Sequence, residues 1–177
     1  MAIEPVHKRF PQVPLQRRAA AFLIDFVCVW LISSVLAGLG ISELFVFPLV
    51  WLVWRVVIVA RNQGQSLGRW ALDMKVLDAR FSRIPQLLTL TKREAITGFL
   101  SLLAVFGFKI GLANSLSLLL LMVPILVDWG TVMADGESRQ AFHDRIARTL
   151  VIQTNRGFSL DLRVRRILAQ VTSTMRK

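Results

Sequence analysis

Apolar residues in this chain fall into four blocks separated by basic, turn-rich segments. Ala19 to Gly40 contains a single charge, Asp25. At about 1.5 Å per residue such a block covers the roughly 30 Å hydrocarbon core of a bilayer. Leu44 to Ala60 is interrupted only by Arg55. The block at 95–108 is the shortest and is stopped by Lys109, and Ser115 to Ala134 contains Pro124 and Asp128. The connections Ile41–Glu43 and Lys109–Asn114 are short, so the blocks pair as two antiparallel helical hairpins. The pattern therefore predicts an all-α membrane protein with four transmembrane helices, about 19–40, 44–60, 95–108 and 115–134.

The segments between the blocks have patterns of their own. Asn62-Gln63-Gly64-Gln65-Ser66 is turn chemistry, with Ser66 placed to cap a short helix through Trp70. Leu72 to Asp78 then alternates apolar and charged positions, the period of a half-buried strand. Arg148 to Gln153 is a second β-prone run, and a lone strand cannot satisfy its own backbone, so the two are expected to pair as a small ribbon. Pro85 suits the first turn of a helix that continues past Arg93 into the third span. Thr91-Lys92-Arg93-Glu94 also reads as a capping box that would start that helix afresh. In the tail, Leu160, Val164, Ile167, Leu168, Val171 and Met175 recur at helical spacing among arginines after Ser159. That predicts an amphipathic helix, docked on the membrane surface, on a partner, or on the protein's own cytoplasmic face.

Composition sharpens this picture. Of 177 residues, 54% are hydrophobic, too many for a soluble chain this small to hide. Lys and Arg number 22 against 11 Asp and Glu, and 20 of the 22 lie in 1–18, 61–94 and 135–177. By the positive-inside rule these segments, and both termini, are cytoplasmic. The expected location is a bacterial inner membrane or another internal membrane. A cleaved signal peptide at 8–37 is disfavoured by Asp25 in its apolar run and by the spans that follow. The basic charge points to a bilayer with anionic headgroups as a partner, and away from nucleic acid, which calls for a basic face interleaved with exposed aromatics. Cys28 is alone and the histidines, His7 and His143, are unpaired, so neither a metal nor another cofactor is expected. No nucleophile elbow or phosphate loop suggests an enzyme.

Three charges fall within spans, each costing about 2.5–3.5 kcal/mol at a helix centre on insertion scales. Asp25, Arg55 and Asp128 all lie roughly 8–10 Å inside the cytoplasmic boundary by helical rise. An intramembrane cluster of Asp25, Arg55 and Asp128 is the expected solution. It reads either as an interhelical clamp or as an ion or proton site. Arg18 and Asp25 share one helix face, two turns apart, with Ala21 and Cys28.

Arg18-Ala-Ala-Ala21-Phe-Leu-Ile24-Asp25 resembles the opening of the RDD family of membrane proteins, named for one Arg and two Asp. Gly64 to Arg69, then Met74 to Asp78, resemble that family's stretch after its second span, and Arg139 to Thr149 its closing motif. The resemblance covers 17–153, between an N-terminal segment at 1–16 and a basic tail at 154–177. It implies Arg18, Asp25 and Asp144 as the motif residues, with Asp128 the alternative to Asp144. It also implies transport among the roles attributed to members, monovalent cation/proton exchange included. Four spans are few for an alternating-access path, so a homodimer or larger membrane complex is expected. The competing expectation is a non-transporting scaffold, assembly factor or accessory subunit.

Overall fold

The computed structural model describes residues 13–111, 115–134, 139–154 and 160. Helix α1 is Leu15–Ala37 and α2 is Glu43–Arg61; a short α3, Leu67–Ala71, leads to strand β1, Met74–Asp78. Helix α4, Leu87–Gly111, is followed by α5, Ser115–Ala134, a short α6, Phe142–Ala147, and strand β2, Thr149–Gln153. Among the described residues three helices are long and apolar enough to cross a membrane: α1, α2 and α5. The expected fourth span at 95–108 is the second half of α4, which is not among them; its first half carries Lys92, Arg93 and Glu94. The helix runs through Thr91–Glu94 without a restart, because the Glu94 side chain is turned to guanidiniums rather than to a cap.

Helix α2 is not uniform. Pro48 lies within it and a π-helical turn, Val53–Val57, is centred on Arg55. Such a bulge adds a residue to the turn and re-aims the side chain it carries. The apolar core is built where α1, α2 and α4 meet, from Val29, Phe47, Trp51, Leu102 and Val105. Close approach there depends on Gly98, since a Cβ on it would lie 2.7 Å from the Trp51 ring. Helices α4 and α5 also come near at Gly107, though less tightly, at 3.1 Å by the same measure from Leu121.

The ribbon forms as the strand patterns predict. β1 and β2 pair antiparallel, from Met74 opposite Gln153 to Asp78 opposite Thr149. It caps the helix ends through Val76 against Val56, Val59 and Leu90, and through Met74 with Leu72 against Val13 and Ala21. Gly64 sits at φ +83°, and its carbonyl accepts the Val76 N–H at 2.9 Å. A side chain there would collide with the Val76 carbonyl as well as strain the backbone. The amphipathic helix expected at 157–177 lies outside the described residues.

Gly98→Val overpacks the α1–α2–α4 junction against a ring that has nowhere to move. The expected loss is about 1–3 kcal/mol, read as a lower thermal midpoint of the purified protein in detergent. An unchanged midpoint would contradict the packing described.

Candidate functional site

Beneath the apolar core the helix ends carry an ionic network rather than a pocket of neutral side chains. Arg55, on the π-helical turn, is 3% exposed and is held between two carboxylates. Its Nη1 donates to Asp25 of α1 at 2.5 Å, and its Nε and Nη2 donate to Glu94 of α4 at 3.0 and 3.4 Å. The rings of Trp51 and Phe22 lie 5.3 and 5.9 Å from its guanidinium carbon. A planar fork reaches two acceptors on two helices, which the ammonium of a lysine could not do with the same geometry.

Asp25 is fully buried, and four donors surround its two oxygens. Besides Arg55, these are Ser66 Oγ at 2.5 Å, the Gly68 N–H at 2.9 Å and Trp54 Nε1 at 3.2 Å. Ser66 has the expected role as N-cap of α3, accepting the Arg69 N–H, and turns its hydroxyl proton to Asp25. Gly68 allows the approach, because a Cβ there would overlap the Ala21 carbonyl. The turn after α2 is thus folded back onto α1 to solvate one carboxylate.

Glu94, fully buried, is the carboxylate that sequence reasoning missed. It accepts from Arg55, from Arg69 Nη2 at 3.0 Å, from Arg93 Nη1 at 3.0 Å and from Thr97 Oγ1 at 2.9 Å. Its place in a capping-box pattern supplied a sufficient local reason for it. The usable signal was an acidic residue at the edge of an apolar block, beside two bases.

Asp144 is the third centre. Arg93 Nε reaches it at 2.7 Å, Arg18 Nη2 at 2.5 Å and Thr149 Oγ1 at 3.3 Å, while Arg18 also donates to the Arg139 carbonyl. Burial alone would raise its pKa, but Arg93, His143 and Arg18 outweigh that and hold it well below the usual carboxylate range. Arg18, Asp25 and Asp144 therefore belong to one network, with Arg18 bound to Asp144.

The expected grouping of Asp25, Arg55 and Asp128 is corrected in one member. Asp25 and Arg55 pair, but Asp128 does not meet Arg55. It accepts from His143, through Nδ1 at 2.6 Å and the backbone N–H at 3.1 Å. The physical reason is that the first turn of α6 has unsatisfied N–H donors, and His143 brings one of them and its ring to the same carboxylate. On the other side of the ring, His143 Nε2 lies 3.4 Å from both Arg93 Nη2 and Asp144 Oδ1, so the histidine links the Asp128 and Asp144 centres. Among the described residues no group of three or more His, Cys, Asp or Glu is arranged to hold a metal ion.

Apolar helices of spanning length, tied at one end by a buried arginine–carboxylate network and a two-stranded ribbon, define a helical membrane protein. The sequence model of the RDD family matches residues 13–148. The chain belongs to the RDD family, whose domain is found in membrane proteins. A search of curated proteins and of solved structures finds no similar chain.

Two outcomes follow from the network. Arg55→Lys keeps the charge but cannot bridge Asp25 and Glu94, so it leaves a buried carboxylate short of partners. A loss of about 3–5 kcal/mol is expected, measured by chemical unfolding in detergent; a wild-type midpoint would refute the bridging role. Asp144 has a depressed pKa, so its contribution is complete above the ordinary carboxylate value of about 3.9 and is lost as pH falls towards the lower folded value. Stability measured from pH 7 down to pH 3 should therefore fall off below about pH 4. In Asp144→Asn that acid limb should be flatter and the plateau lower.

Proposed function

We propose that this chain is a non-transporting, non-catalytic accessory or assembly subunit of a larger membrane complex, with the ionic network as its structural lock. The observation that carries the reading is Asp25: fully buried, with four donors on its two oxygens. A carboxylate that exchanges a proton or a cation needs a free acceptor site and a path for solvent, whereas a saturated one acts as a clamp.

In this proposal the second half of α4 is a fourth span beside α5, and both termini lie on the cytoplasmic side of a bacterial inner or other internal membrane. The charge distribution along the chain supports that orientation. Exposed Phe81, Ile84, Leu87 and Leu88 occur among exposed Arg80, Arg83 and Lys92, a mixture suited to an interface with anionic headgroups. Helix α5 leaves Leu116, Leu119, Leu120, Val123, Leu126 and Val127 uncovered, a surface for lipid or for the helices of a partner, including a second copy.

The rival is monovalent cation/proton exchange, and flux measurement separates the two. Purified protein in vesicles should move Na⁺ or K⁺ down an imposed pH gradient no faster than empty vesicles. In mild detergent its native mass should exceed that of the single chain, with a second polypeptide at fixed stoichiometry. Gradient-driven flux that Asp25→Asn abolishes would overturn the proposal and restore the exchange reading.

A further inference from the structure

The three guanidiniums that converge on Glu94 are not equally compensated. Arg55 has Asp25 as a second carboxylate, and Arg93 has Asp144. Arg69 has Glu94 alone, through Nη2. Its Nη1 is buried and has no hydrogen-bond partner among the described residues, although the side chain is only 4% exposed. Burial, with Arg55 and Arg93 close by, lowers the Arg69 pKa to about 9 against the pull of Glu94 and Asp25, so it stays charged at neutral pH.

Arg69 lines a cavity of about 30 Å³ together with Arg18, Arg55, Arg93 and His143. Among the described residues no acidic side chain lines it. Trp129, Phe22 and Val132 supply apolar walls. A space of this size takes one or two water-sized particles, at about 10–15 Å³ each, and suits a monatomic ion better than a tetrahedral oxyanion. A water would leave the four guanidiniums around the space with no negative charge on that side. A small anion would supply it, in a setting where charge-assisted hydrogen bonds are at their strongest.

We propose that this cavity is a binding site for a monatomic anion of the chloride class, held among the guanidiniums of Arg18, Arg55, Arg69 and Arg93 that line it. The ion is a structural member of the network: it completes the coordination of α3 against α1 and α4. The site stands independently of the accessory-subunit reading, because it rests on Arg69 and not on Asp25.

The test uses the full chain in detergent at constant ionic strength, with chloride or bromide replacing gluconate. The thermal midpoint should rise saturably, by about 3–5 °C at a tenfold excess over the dissociation constant. Sulfate should give no such rise. Chloride NMR lines should broaden with the wild-type protein and sharpen again on adding bromide. Arg69→Gln leaves Glu94 with two guanidiniums and should remove both the halide-dependent rise and the broadening. No broadening with the wild type overturns the proposal even if Arg69→Gln fails to fold. Undiminished halide dependence in Arg69→Gln, or an equal response to sulfate, overturns it as well.

Discussion

Buried charge is the constraint on which this structure turns. Taking an ion out of water costs several kcal/mol even after the protein relaxes, and four arginines are buried with Asp25, Glu94, Asp128 and Asp144 at one end of these helices. Each must therefore find partners of opposite sign with good geometry, and those partners are on different elements. Asp25 of α1, Arg55 of α2, Glu94 of α4 and Asp144 of α6 can be satisfied only if the helices and the ribbon take one arrangement. Apolar packing of α1, α2 and α4 is compatible with many small slips, whereas the ionic network is not.

The network also explains features that look local. The π-helical turn at Val53–Val57 presents Arg55 to two helices at once. The α3 turn exists where it does because Ser66 and the Gly68 N–H complete the shell of Asp25, and glycine at 68 is what lets that backbone reach α1. The ribbon places Thr149 against Asp144, so the β pairing is continuous with the ionic end of the bundle. At the opposite end, among the described residues, an ion pair joins Glu43 to Lys109, with Lys109 mostly exposed, where water makes such a pair worth little. One end is locked and the other is only tethered.

Much of the fold was legible in the order of residues because the signals are local and periodic. Apolar blocks predicted α1, α2 and α5, alternation at 72–78 and the run at 148–153 predicted the ribbon, and Pro85 marked the approach to α4. The third block stayed the least defined, since the helix that contains it begins with charged residues that serve the network. The pairing of Asp25 with Arg55 was also legible, since two opposite charges at matching depth in adjacent helices have few alternatives.

What residue order could not decide was the partner of each remaining charge. Asp128 and Glu94 were both available to Arg55 by depth, and Glu94 had a competent local explanation as a helix cap. Only the packing of α4 against α2, through Gly98 and Trp51, brings Glu94 to Arg55, and only the first turn of α6 draws Asp128 to His143. Periodicity and hydropathy act along the chain, so the sequence by itself determined the long helices, the two strands and the buried charges of Asp25, Arg55 and Asp128. Ion pairing acts through space over a few ångströms, so the remaining assignments, the lone carboxylate partner of Arg69 among them, were decided by the tertiary structure.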